Sequence, residues 1–286
     1  MIETVTIQET FDPLLEAYLS RLARLKRSHL TARQHRQTAR RFQAYLNDVG
    51  ESAATVEPWQ VEEFFEGMTD LAPGTRRAHL RRLRSVYRYA HRRGAVLRDP
   101  TADVEIPREA DEEPVIIDNA ELRCYRHRAA TDQQWAQFHL LAFAGLRRQE
   151  AINLQWEDLD FVSGTMKVLG KGGKLRLVPI HPLLADALHD LAEPRSGPVI
   201  RPKRSAPRIG DDTWDGLLRD VTRGAHTAHD FRRTVASSLA LNGVVDGVID
   251  RILGWAPRAV GRRYYIKVAG PELQRAILRL YADDPV

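Results

Sequence analysis

Cysteine is almost missing from this chain. Cys124 is the only one in 286 residues, so no internal disulfide is available and a reducing compartment is the simple reading. Long hydrophobic runs are missing too: the most apolar stretch, Leu140 to Leu146, falls far short of the roughly 20 residues that a spanning helix needs. Met1 to Thr10 carries acids and no apolar core, unlike a secretory signal. Repeats and low-complexity tracts are lacking as well. These gaps predict a cytoplasmic protein with no membrane partner. What remains is 43% hydrophobic and 28% charged residues, enough for one large domain or two.

A further gap concerns negative charge, and the net charge of +5 conceals it. No acid occurs from Ala17 to Asn47 or from Leu71 to Arg98, whereas arginine is frequent in both. Both stretches read as helices. Thr31 followed by Gln34 looks like a capping-box start, with Phe42, Tyr45 and Leu46 as its apolar stripe. Thr75 is placed to cap the second, where Leu80, Leu83, Val86, Tyr87 and Ala90 recur at helical spacing. Between them Pro58 opens a short helix carrying Val61, Phe64, Phe65 and Met68. A charge run is ordinarily a solvated face, but without acids the usual i,i+4 ion pairs cannot form inside these runs. Phosphates would supply the missing counter-charge. Arg33, Arg36 and Arg40 in the first run, and Arg76, Arg77, Arg81, Arg84 and Arg88 in the second, are therefore candidate DNA-binding residues.

The acid-rich stretch Arg108 to Pro114 between prolines reads as a linker. Beyond it Asn119 is expected to cap a helix, and Thr131 to open a longer one reaching about Ala144. After Trp156 the period shortens. Phe161–Val162, Thr165–Leu169 and Lys174–Ile180 are expected as short strands, with turns at the intervening glycines. Helices are expected again at Pro182–Leu191, Trp214–Val221, Ala228–Leu241, Val245–Leu253 and Pro271–Tyr281.

Several residues in this half suit phosphate chemistry. Arg147 and Glu150 share a face at a helix start, as do His229 and Arg232. Lys171 lies in a glycine-rich hairpin tip, where backbone and ligand can approach closely. Trp255 follows a glycine that looks like a helix C-cap, and Tyr264 comes nine residues later in Gly-Arg-Arg-Tyr-Tyr. Each alone has an ordinary structural reading. Their order and spacing are harder to ascribe to chance.

That order resembles the tyrosine recombinases (phage integrases), the family that includes Cre and the Xer-type resolvases, along nearly the whole chain. Gly145-Leu146-Arg147 through Glu150, Leu154, Trp156 and Asp158 is similar to the family's first box, and Gly170-Lys171-Gly172 with Arg176, Val178, Pro179 and Ile180 to its lysine hairpin. His229-Asp-Phe-Arg232-Arg233-Thr234 resembles the second box and Leu253-Gly254-Trp255 the third. The resemblance implies a mainly α fold with a small antiparallel β-sheet. Residues 1–107 would form a helical core-binding (SAM-like) DNA-binding domain and 108–116 a linker. Residues 117–286 would form an α+β catalytic domain with a C-terminal docking helix.

The resemblance also implies roles. Arg147 and Arg232 would bind non-bridging phosphate oxygens, Tyr264 would attack phosphorus, Lys171 would protonate the leaving oxygen and His229 would assist proton transfer. Trp255 would donate to the phosphate, and Glu150 would support the pocket. No cofactor and no metal would be needed. The partner would be double-stranded DNA with specific recombination sites, bound by a dimer on one site and a homotetramer in the synaptic complex. The tyrosine doublet leaves Tyr265 as an alternative nucleophile, and the apolar stripe of the last helix suits either a neighbouring protomer or its own domain. Competing classes are a type IB topoisomerase, a metal-dependent nuclease using Glu150, Glu157, Asp158 and Asp160, and a DNA-binding relative with an idle tyrosine.

Overall fold

A computed structural model describes residues 11–26, 29–106, 113–170, 173–191, 195–202, 208–255, 270–282, 284 and 286. Two units divide between Glu112 and Glu113.

Among the described residues, four helices build the first unit: α1 (Phe11–Arg24), α2 (His29–Val49), α3 (Pro58–Glu66) and α4 (Pro73–Arg92). The acid-free stretch from Ala17 is thus not one helix. α1 stops at Arg24, and Lys26 then takes a left-handed φ of 51°. The chain is already helical at His29, so Thr31 lies inside α2 rather than at its start. Likewise α4 opens on Pro73, ahead of Thr75: a proline's fixed φ suits the first helical position, where its missing N–H leaves nothing unpaired. Pro58 opens α3 as expected. The core is aromatic. Phe42 is fully buried and meets Phe11 and Phe64 edge-to-face at 5.3 and 5.1 Å. The buried pair Thr38 Oγ1 and His79 Nδ1, 2.9 Å apart, joins α2 to α4.

The second unit contains α5 (Asn119–Arg128), α6 (Asp132–Ala144), α7 (Arg148–Asn153), a 3-10 turn (Trp156–Asp158) and strands β1 (Leu159–Asp160), β2 (Thr165–Leu169) and β3 (Leu175–Pro179). It continues with α8 (Pro182–His189), α9 (Asp211–Thr222), α10 (Ala228–Leu241), α11 (Asp246–Leu253) and α12 (Gly270–Ile277). Asp118, not Asn119, caps α5: its Oδ1 accepts from the Glu121 N–H at 2.7 Å. Thr131 caps α6 as expected, its Oγ1 accepting from the Gln134 N–H. Residues 136–144 of α6 are all buried, because α5, α8, α9 and α10 pack around it.

The sheet is antiparallel in the order β1-β2-β3, with Met166 opposite Val178 and Val168 opposite Arg176. The first strand sits two residues earlier than the sequence suggests. Asp160 Oδ1 accepts from both the Val162 and Ser163 N–H groups at 3.0 Å, which turns Phe161–Val162 into a loop. The last helix is also shorter, ending at Ile277, with turns to Tyr281. Its stripe is covered within the same unit: Leu273, Ile277, Leu280 and Tyr281 are buried in the core, and the Tyr281 hydroxyl donates to Ala142 O at 3.0 Å. Among the described residues, no helix is long and apolar enough to cross a membrane.

Candidate active site

Two glycines create the ground on which the site stands. Gly145 ends α6 and Gly254 ends α11, both left-handed with φ of 57° and 65°, a backbone that L side chains resist. A Cβ on Gly145 would lie 2.8 Å from Leu253 Cδ2, so the absence of a side chain lets the two helix ends touch. Arg147 follows the first glycine as N-cap residue of α7, and Trp255 follows the second.

Glu150 is the hub between these ends. Its side chain is 3% exposed and its two oxygens are shared by two arginines. Arg147 donates from its backbone N–H to Oε2 at 2.8 Å and from Nη1 to Oε1 at 2.7 Å. Arg176 donates to both oxygens, at 2.8 and 2.9 Å. Arg232 stands 4.0 Å from Oε2. Burial opposes the negative charge, but hydrogen bonds from Arg176 and Arg147 and the Arg176 charge prevail and hold the carboxyl below its usual range.

The cations are held from the other side by the end of α11. Arg176 Nε donates to Ile252 O at 3.0 Å, Arg232 Nη2 donates to Leu253 O, and Arg147 Nη2 donates to Gly254 O at 3.0 Å. A helix leaves its last carbonyls unpaired and carries partial negative charge there, so guanidinium groups suit that end. Arg232 also reaches Gly145 O at 2.6 Å and lies 5.5 Å from the centre of the Trp255 ring. Burial first, then Arg147, pushes the Arg232 pKa down to about 9, which still leaves it cationic at neutral pH.

Arg147 and Glu150 at the start of α7, Arg232 of α10 and Trp255 after α11 therefore come together from three separate segments. His229 is exposed at the start of α10 and lines, with Arg147, Arg148, Trp214, His226 and Arg232, a cleft of about 540 Å³. Partial burial, then Arg233 and Arg232, lower its pKa, so the imidazole is neutral at neutral pH. Lys171, Tyr264 and Tyr265 lie outside the described residues. The base of the lysine hairpin is described: a Cβ on Gly170 would be 3.6 Å from Glu150 Oε1 and 3.5 Å from Arg176 Nη1.

Arg176 is the member whose part in the site sequence reasoning missed. The available signal was its phase: on β3 it lies two residues before buried Val178, hence on the inner face. The four carboxylates weighed as metal ligands have other partners. Glu150 faces arginines, Glu157 accepts from the Gly197 N–H, Asp158 from the Gln155 N–H, and Asp160 holds its turn. Among the described residues, no three His, Cys, Asp or Glu side chains gather as a metal ion would require.

In the first unit Arg33, Arg36, Arg40, Arg81 and Arg88 are exposed, while Arg76 and Arg77 are half-buried. Among the described residues, acids from outside the basic runs reach three arginines: Arg36 pairs with Glu16 and Arg41 with Asp70, each at 3.5 Å, and Arg98 pairs with Glu57. Arg84 differs from the DNA-facing expectation. Its Nε donates to Thr101 O at 3.0 Å and its Nη2 to Val104 O at 2.5 Å, so it fastens the chain after α4.

Residues 109–269 match the phage integrase family, and residues 15–94 match the phage integrase N-terminal SAM-like domain. Tyrosine recombinase XerC of Rhodospirillum centenum is 30% identical over 248 residues, covering 77% of this chain and 69% of that protein. Tyrosine recombinase XerD of Shewanella oneidensis is 26% identical over 284 residues, covering 92% of this chain and 94% of its own. A crystal structure of a lambda integrase (75-356) dimer bound to a COC' core site shares the fold. Its TM-score is 0.71 at 15% identity, over 91% of this chain and 99% of that one. The chain belongs to the phage integrase family, the tyrosine recombinases, which are DNA breaking-and-rejoining enzymes.

Proposed function

We propose that this chain is a site-specific recombinase that cuts and rejoins duplex DNA through a 3′-phosphotyrosyl intermediate, using neither metal nor ATP. The observation that carries the reading is the pair of guanidinium groups, Arg147 and Arg232, fixed by Glu150 and the end of α11 beside Trp255. Preorganised cations are what a phosphodiester needs as negative charge builds on its non-bridging oxygens. Three cations around one carboxylate leave positive charge over for such a ligand.

In this reading the Tyr264 oxygen attacks phosphorus while the P–O5′ bond breaks. The phenol proton passes to neutral His229, and Lys171 supplies a proton to the departing 5′ oxygen. The phosphate ester is conserved in the tyrosine link, so attack by a partner strand's 5′-hydroxyl reseals DNA without another energy source. Trp255 donates to the phosphate. The exposed arginines of α2 and α4, namely Arg33, Arg36, Arg40, Arg81 and Arg88 with Arg76 and Arg77 beside them, contact the DNA backbone. A dimer occupies one site, and a homotetramer joins two.

A nicked suicide substrate that loses its 5′-hydroxyl fragment tests this. The expected result is a covalent adduct mapping to the peptide bearing Tyr264, formed equally in excess chelator. Tyr264→Phe is expected to abolish the adduct while DNA binding persists. An adduct on Tyr265 would move the nucleophile by one residue, and no adduct at all would sink the mechanism.

A further inference from the structure

Arg176 lies outside the residues to which the reaction gives a role, yet it ties together the parts that hold them. We infer that Arg176 is a positioning residue of the phosphate site, acting on Arg147 and Arg232 through Glu150 and the last carbonyls of α11. This rests on the reading that those two arginines bind the scissile phosphate.

All three side-chain nitrogens of Arg176 already donate, Nε to Ile252 O and the Nη pair to the two oxygens of Glu150, whereas the Nε of Arg232 has no hydrogen-bond partner among the described residues. The planar fork grips both oxygens of Glu150, which fixes the rotation of the carboxylate about its terminal bond. The same two oxygens receive the Nη1 and backbone N–H of Arg147, so the orientation of the carboxylate decides where Arg147 sits. Released from the fork, the carboxylate would be held by Arg147 alone, with Arg232 4.0 Å from Oε2 competing for it.

The remaining donor, Nε, holds Ile252 O, the carbonyl directly before the two that receive Arg232 and Arg147. Three successive carbonyls thus take three guanidinium groups in turn. Gly254 completes the arrangement: a Cβ there would come within 2.9 Å of Arg176 Cδ, 3.0 Å of Nε and 3.1 Å of Cζ, so the side chain lies flat against the glycine. Lysine cannot reproduce this grip, because one ammonium group cannot bind two carboxylate oxygens in a plane and a carbonyl besides.

The test compares Arg176→Lys and Arg176→Gln with Arg147→Ala and the wild type in single-turnover cleavage of a suicide substrate. Each enzyme is given an ordinary scissile phosphodiester and a methylphosphonate, in which a methyl group replaces one non-bridging oxygen and removes the charge. Arg176→Lys is expected to slow cleavage of the phosphodiester by about 100-fold, the scale of a small misplacement at a reacting centre, with DNA affinity retained. Its deficit should shrink on the methylphosphonate, as should that of Arg147→Ala. Partial unfolding scales both rates of one preparation alike and leaves their ratio unchanged. Wild-type cleavage by Arg176→Lys, or equal deficits on both substrates, would overturn the inference. If Arg147→Ala also shows equal deficits, the assignment of Arg147 to the phosphate fails and the role of Arg176 fails with it. Shrinkage for Arg147→Ala alone overturns only the inference.

Discussion

Glu150 keeps a negative charge that its burial alone would suppress, because the hydrogen bonds it accepts from Arg176 and Arg147 outweigh desolvation. The same carboxylate separates cations that would otherwise face one another. Glu150→Ala is therefore expected to destabilise the second unit by about 3–5 kcal/mol, the usual scale for stranding a buried charge, as measured by urea unfolding. The pH dependence follows in sign. A carboxyl whose folded pKa is depressed contributes its full stability above the ordinary value of 4.5 and loses it as pH falls through the folded pKa. The acid loss of stability in the wild type should be smaller in Glu150→Gln.

His229 has the opposite character, being exposed and uncharged at neutral pH. Since burial and Arg233 lower its pKa, the neutral, proton-accepting form should persist as pH drops below the ordinary imidazole value of 6.5. Single-turnover cleavage should fall only at more acid pH, where the ring is protonated. His229→Gln should lose that limb of the profile, and an unchanged limb would place the titrating group elsewhere.

At the scale of elements, a helix end can serve as a receptor for cations. α11 stops at Gly254, and three of its terminal carbonyls become acceptors for Arg176, Arg232 and Arg147. Local patterns announced that stop, since a glycine after an apolar periodic run is the ordinary C-terminal signal. They could not announce what the carbonyls would hold. α4 shows the same division. Its apolar stripe and abundant arginines are plain from spacing, yet Arg84 turns inward and Arg88 outward, a difference decided by Thr101 and Val104 reaching back beside the helix. Arg84→Ala is expected to cost about 1.5–3 kcal/mol per charged hydrogen bond at most, and to leave the salt dependence of DNA binding unchanged. Arg88→Ala should leave stability intact, weaken DNA binding on all sequences and lower the salt slope by about 1. Exchange of the two outcomes would reverse the assignments.

At the scale of the molecule, the second unit is closed by its own last helix. Ile277 is fully buried and Tyr281 is anchored on Ala142 of α6, so α12 contributes to the stability of the single chain. Ile277→Ala is expected to cost about 2–5 kcal/mol in the DNA-free protein, read by thermal or urea unfolding. A stripe used only for a neighbouring protomer would leave that stability untouched and impair assembly on DNA alone.

The cap at Thr131, the helix start at Pro58 and the hairpin around β2 and β3 could be taken from spacing alone, because caps, turns and periodicity act over a few residues, while Arg147, His229, Arg232 and Trp255 were singled out by their order along the chain. Strand β1 and the start of α4 differ from expectation because the Asp160 turn and Pro73 outweighed the local pattern, and α2 is already helical at His29, before Thr31. What only the folded chain decided were contacts across long separations: Arg232 on Gly145 and Leu253, Arg176 on Glu150 and Ile252, Arg84 on Val104 and Tyr281 on Ala142. Such pairs depend on how helices and sheet pack in three dimensions, and no short-range rule of the chain encodes the partner that a long arginine finally meets.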